Sequence, residues 1–217
     1  MSAANEWEQA FNTLDKRVFS VDAIGGYDFQ SHLENHTKKS STILDFGCGK
    51  GDLVKKFRED GYTSIYGTDP SGGLLAQSSL GSEILKRMDN GMIPFPDNTF
   101  DFVYCSGVLH HIEWGLYPGV LTELKRVLKP GGIFLWSEPR NSLWRKLGHM
   151  AVLSPFRKFN RNVDALAACL RAEWPTYYPW LVREEKEFVP LCQQLGFIFQ
   201  GSETKMFTVI GLVKNEK

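Results

Sequence analysis

The 217-residue sequence lacks four things, and each lack removes a class of protein. It has no charge excess: 25 basic residues balance 25 acidic ones. No global field therefore draws it to nucleic acid or to a membrane. It has no run of the roughly 20 apolar residues that a membrane-spanning helix needs. Its four cysteines, Cys48, Cys105, Cys169 and Cys192, have neither a C-x-x-C nor a Cys/His spacing. That excludes a zinc ribbon and a disulfide scaffold, and it reads as reduced thiols in a cytoplasmic protein. The N-terminus, Met1 to Glu8, has no basic region followed by an apolar one, so no signal peptide is expected. Internal repeats and low-complexity segments are also missing. What remains is a soluble globular chain of one domain, long enough to bury a core.

Against that plain background one stretch stands out, Ile43-Leu44-Asp45-Phe46-Gly47-Cys48-Gly49-Lys50-Gly51-Asp52. An apolar run ends in a carboxylate, and glycines follow at alternating positions. This pattern predicts a strand entering a tight turn that lets backbone approach a ligand. A Walker loop would need Ser or Thr after its lysine, but Gly51 follows Lys50. A dinucleotide fingerprint would place the third glycine one residue later, and Asp45 suits a cationic ligand better than a pyrophosphate. A plain strand-turn-helix with packing glycines is the bland alternative.

Alternating elements follow. Residues 5–36 read as one or two helices, with Trp7, Phe11 and Leu14 on one face. Strands are expected at 42–46, 64–68, 84–88, 100–105 and 133–137. Helices are expected at 52–59, 71–79 and 117–128, the last stopped by Lys129-Pro130-Gly131-Gly132. The order implies an α/β fold, a doubly wound, mostly parallel sheet with helices on both faces. Residues 139–181 read as irregular, aromatic and basic; a helix around 183–195, broken at Pro190, precedes a closing hairpin of 197–200 and 206–213.

Ligands of open parallel sheets bind beyond the carboxyl ends of the strands. There the sequence sets Asp45 and the glycine loop, Asp69-Pro70, Asp89-Asn90, Ser106 through His111, and Glu138. Together with Asn98 to Val103 and Leu124 to Gly132, these motifs, over about 43 to 138, resemble the class I S-adenosylmethionine (SAM)-dependent methyltransferases, in particular the large group acting mostly on small molecules. The resemblance implies a Rossmann-like sheet of seven strands whose last strand is antiparallel. It implies a cap at 1–40, a SAM-binding core at 41–138, an acceptor-side insertion or lid at 139–181, and a closing helix and hairpin at 182–217. It also implies a cofactor site of Asp45, Phe46, Gly47, Cys48, Gly49, Gly51, Asp69, Pro70, Asp89, Asn90 and Ser106. Asp69 would take both ribose hydroxyls, Asp89 the adenine amino group and Asn90 a ring nitrogen. S-adenosylhomocysteine would be the product. Asp69 can also be read as a cap for the next helix, and Asp89 as a solvated loop carboxylate. Cys48 reads as a packed residue with no basic partner to make it a nucleophile.

Methyl transfer from a sulfonium is a displacement with a neutral leaving group, so alignment is the main task. No metal is required and none is assigned. A hydroxyl acceptor needs a base, and His110 or His111 is the candidate, with Glu138 to orient it. A hydrogen-bonded loop histidine that only shapes the pocket is the alternative. The acceptor class turns on 139–181, where Arg140, Arg145, Lys146, Arg157, Lys158 and Arg161 occur with no acid between Glu138 and Asp164. A lid over an aromatic or anionic small molecule is the favoured reading, and O-methylation the favoured reaction. A basic amphipathic helix touching a membrane around a lipid-like acceptor, and an RNA-binding strip, are the competitors. The neutral chain weakens the RNA reading. A SAM-binding scaffold that never transfers methyl is the reading from outside enzymology.

Overall fold

The computed structural model describes residues 29–155, 160–206 and 208–217. The expected helical stretch with Trp7, Phe11 and Leu14 lies outside them, apart from its end, α1 (Phe29–His36). Next come β1 (Ile43–Phe46), α2 (Asp52–Glu59), β2 (Ile65–Asp69), the single turn α3 (Gly72–Leu75), β3 (Leu85–Arg87) and β4 (Phe100–Ser106). Two 3-10 turns (Leu109–His111 and Trp114–Leu116) lead into α4 (Tyr117–Val127) and β5 (Leu128–Pro139). Then follow α5 (Leu143–Val152), α6 (Arg161–Arg183), a π turn (Glu184–Phe188), α7 (Val189–Gln194), β6 (Phe197–Thr204) and β7 (Thr208–Asn215).

The seven strands lie in the order β3-β2-β1-β4-β5-β7-β6. β7 runs antiparallel to both of its neighbours, and the other pairings are parallel. All four β1 residues are buried, as a central parallel strand covered on both faces requires. Alternation splits the core. Leu44, Phe46, Val103, Phe134 and Trp136 pack with Leu121 and Leu124 of α4 on one face. Ile43, Phe102, Tyr104 and Leu135 pack with Val54 and Phe57 of α2 on the other. α2 carries Asp52 in its first turn and Lys56 and Arg58 in its last, complementing its dipole.

Three expectations need correction. Lys129-Pro130-Gly131-Gly132 does follow the end of α4, yet it belongs to β5, which begins at Leu128. Phe100 pairs with Leu128 and Phe102 with Ile133, so the extra residues form a bulge that the positive φ of Gly131 (75°) permits. The segment 139–181 is mostly helical, α5 and α6, instead of irregular. α6 runs through Pro175 and Pro179. Proline in a helix interior costs roughly 3 kcal/mol; burial of Tyr177 and Trp180, with a bond from Trp180 Nε1 to Pro139 O at 3.0 Å, offsets that cost. The helix expected at 71–79 closes after one turn.

Candidate cofactor and acceptor site

The strand order reverses between β1 and β4, so the loops after them open a crevice at the centre of the sheet. Gly47, Gly49 and Gly51 have φ of 79°, 55° and 78°, left-handed values that residues with a Cβ adopt at a cost. A Cβ at Gly47 would overlap Val108 Cγ2, so the loops after β1 and β4 touch there. At Gly49 nothing lies within 4 Å of where a Cβ would stand. That open cradle of bare backbone is what a closely approaching ligand needs.

Asp69 is buried at the end of β2 and held by main chain. Its Oδ2 accepts the Gly49 N–H at 2.8 Å and its Oδ1 the Ser71 N–H at 2.8 Å. Each oxygen keeps a lone pair for a ligand hydroxyl. The helix-cap alternative fails, since Ser71 Oγ takes the Leu74 N–H and is itself the cap. Burial raises the Asp69 pKa, and the two N–H bonds oppose the rise. Pro70 is exposed beside it.

Asp45 is buried, and the β1–β4 register sets it beside Tyr104. Burial pushes its pKa up to about 8; the neighbouring Tyr104 hydroxyl lowers it and Asp69 adds a smaller upward push. A cation arriving there would ionise it. Cys48 is half-buried, and burial with the Asp45 and Asp69 charges raises its thiol pKa, so it stays a thiol. Phe46 packs in the core among Phe100, Val103 and Leu109, leaving its main chain to offer.

Asp89 is exposed, its side chain 69% accessible and paired with Arg87 Nε at 3.2 Å. Asn90 follows with φ 53°. The chain beyond is clamped. Arg126 donates to Ile93 O and Phe95 O at 2.8 Å each, and Glu123 Oε2 accepts the Ile93 N–H at 3.0 Å. The chain after the third-strand acid is thus anchored at Ile93 and Phe95 from α4, a link the sequence reading did not anticipate.

Glu138 binds the loop after β4 most heavily. It is fully buried; Oε1 accepts the N–H groups of Val108 and Leu109 at 2.7 and 2.8 Å. Its Oε2 takes the His110 N–H at 3.4 Å and faces His110 Nδ1 at 2.6 Å. With Nδ1 against a carboxylate, the neutral ring carries its proton there and Nε2 presents a lone pair. Burial draws His110 down to about 3, with a smaller contribution from Arg145, and His111 likewise to about 3. Burial lifts Glu138 to about 7, and the three N–H donors oppose it. Ser106, half-buried, ends β4 opposite Ser137.

Helix α6 closes over this loop. Tyr177 sets its ring edge-on to His110, centroids 5.4 Å apart, and its hydroxyl meets Arg145 Nη1 at 2.8 Å and His149 Nε2 at 3.1 Å. Among the described residues, His110, His111 and Glu173 place ligand atoms within 4.8 Å of one another, a grouping that could hold a metal ion. The Arg145 charge that depresses His110 opposes a cation there. Tyr104, Tyr177 and Glu173 are site residues that the sequence reading assigned no role. Their places depend on strand register and on α6, which carry no local signature.

Comparison with known proteins agrees with this fold. A family model described as a methyltransferase domain matches residues 44–136. A demethylmenaquinone methyltransferase of Symbiobacterium thermophilum is 36% identical over 165 residues, 60% of this chain and 64% of the relative. One from Bacillus licheniformis is 30% identical over 179 residues, 77% of this chain and 72% of the relative. The chain spans 64% and 72% of those two relatives and about 40% of two other curated methyltransferase relatives. A Haemonchus contortus phosphoethanolamine N-methyltransferase solved with SAM overlays on 97% of this chain and 57% of its own, with a TM-score of 0.66 and 15% identity, a likeness of fold. This chain belongs to the class I SAM-dependent methyltransferases. Their cofactor, SAM, fits the residues present, with a bare-backbone cradle at Gly49, a two-oxygen acceptor at Asp69 and a carboxylate at Asp45 for a cationic end.

Proposed function

We propose that this chain transfers the methyl group of SAM to a hydroxyl-bearing small molecule, with His110 accepting the proton that the hydroxyl loses. The observation that carries the proposal is the buried His110–Glu138 pair at 2.6 Å, beside the loop that touches Gly47. When bound, SAM supplies an electrophilic methyl on a sulfonium. The protein's part is to hold and to exclude water. Gly47, Gly49 and Gly51 would let backbone close on the cofactor, Asp69 would take the ribose hydroxyls, Asp89 and Asn90 the adenine edge, and Asp45 the cationic end. Burial keeps His110 neutral through the physiological range, so Nε2 carries no proton, and it also makes the ring a weak base that depends on Glu138 to stabilise its charged form. Glu138 fixes its tautomer and would stabilise the imidazolium that forms. Tyr177 and Arg145, over His110, would line the acceptor side and favour an aromatic or anionic molecule.

The test is turnover. The chain is incubated with methyl-labelled SAM and a panel of phenols, sugars and demethylmenaquinone, the last because two relatives are named for it. Release of S-adenosylhomocysteine with a labelled hydroxyl product supports the reading. Tight SAM binding with no product from any acceptor would support a scaffold, and a labelled amine or carbon would replace O-methylation.

A further inference from the structure

Helix α5 has its polarity reversed. No residue of it is buried. Leu143, Leu147 and Met150, at helical spacing, are 67%, 46% and 70% exposed, and neighbouring Trp144 is 57% exposed. The opposite face turns Arg145 and His149 inward onto the Tyr177 hydroxyl, and Arg145 Nε also donates to Arg140 O at 3.1 Å. Polar anchors therefore hold the helix with its apolar side outward. Ser142 caps its start and donates to Met206 O at 2.7 Å, bringing the exposed Met206 to the same end.

We propose that this face seats the protein on an anionic phospholipid surface, with Leu143, Trp144, Leu147 and Met150 entering the headgroup region. Charge selects this occupant. From 139 to 163 the sequence holds Arg140, Arg145, Lys146, Arg157, Lys158 and Arg161 and no acid. A second copy would set Lys146 and its neighbours against the same cations, whereas anionic lipid supplies the missing countercharge. Tryptophan among aliphatic residues on one helix face, with lysine beside them, is the composition of an interfacial helix. Ten residues span about 15 Å, enough for shallow seating and too short to cross a bilayer. The proposal goes beyond methyl transfer and needs neither cofactor nor acceptor, so it stands or falls apart from the catalytic reading.

The experiment is co-sedimentation of the full chain with vesicles of phosphatidylcholine alone and of phosphatidylcholine mixed with phosphatidylglycerol. The expected result is partitioning at least about tenfold stronger onto the mixed vesicles, weakened by salt. A Leu147→Glu/Met150→Glu variant should reduce it by at least about tenfold, with thermal midpoint and SAM affinity unchanged because both residues are exposed. Equal partitioning of variant and wild type would overturn the proposal, as would no binding to either vesicle. A dimer on size-exclusion chromatography that the double variant dissolves would assign the face to a second copy instead.

Discussion

The two sides of the crevice are built by different means. The cofactor side is short loops: glycines with positive φ, and a carboxylate pinned by N–H groups two and twenty residues away. The proposed acceptor side is long-range. Glu138 reaches 28 to 30 residues back to hold the loop after β4, and α6 covers that loop with Tyr177 and Trp180. The first kind of site is set by backbone and tolerates change around it. The second depends on a helix staying docked, so its specificity can drift without disturbing the donor site.

The largest effect should separate the two. Trp180 is buried against Tyr117 and Phe188, with its indole N–H on Pro139 O. Trp180→Ala should cost about 3–5 kcal/mol of stability, read by denaturant unfolding, while SAM affinity measured below the transition stays near wild type. Equal loss of cofactor affinity would join the two sides. Asp69→Ala should act the opposite way. Losing two charge-assisted ligand bonds should weaken SAM binding by about 1.5–3 kcal/mol for each bond, read by calorimetry.

A pH series probes the acceptor side. The folded pKa values of His110 and His111, about 3, lie below the unfolded value of 6.5. Between these the unfolded chain binds more protons, so stability is full above pH 6.5 and falls as pH drops through that window. The limiting loss per histidine is about 1.4 kcal/mol per pH unit. His110→Gln should flatten part of that slope in thermal scans. On the cofactor side Asp45, raised to about 8, should ionise when a cation binds, so SAM affinity should climb as pH rises toward 8. The smallest effect belongs to Asp89. It is exposed, and its Arg87 pair contributes about 0–1 kcal/mol. Asp89→Ala should leave the melting temperature unchanged and act on SAM affinity alone.

The same contrast decides what the sequence could disclose. The glycine loop, Asp69 and the run of elements to β5 were legible because turn chemistry and hydrophobic period are local. The pairing of a post-β4 histidine with Glu138 was legible as an expectation of orientation, since both follow adjacent strands. The partnership of Asp45 with Tyr104 was not, because it depends on β1–β4 register. α6 was not legible, because 139–181 read as irregular and the helix continues through Pro175 and Pro179 on tertiary burial of Tyr177 and Trp180. Pro130-Gly131-Gly132 hid the start of β5, where a bulge accommodates residues that read as a helix stop. The basic-apolar mixture at 143–150 was visible, but not that Arg145 would turn inward to Tyr177 while the apolar residues and Lys146 face outward.

The central claim is that His110, oriented by Glu138, takes the acceptor's proton while the donor site works independently. The most direct measurement compares wild type and His110→Ala for SAM dissociation constant and for single-turnover methyl transfer to the hydroxyl acceptor. The expected result is an unchanged dissociation constant and transfer slower by about 10²–10⁴-fold. Wild-type transfer by the variant would contradict it.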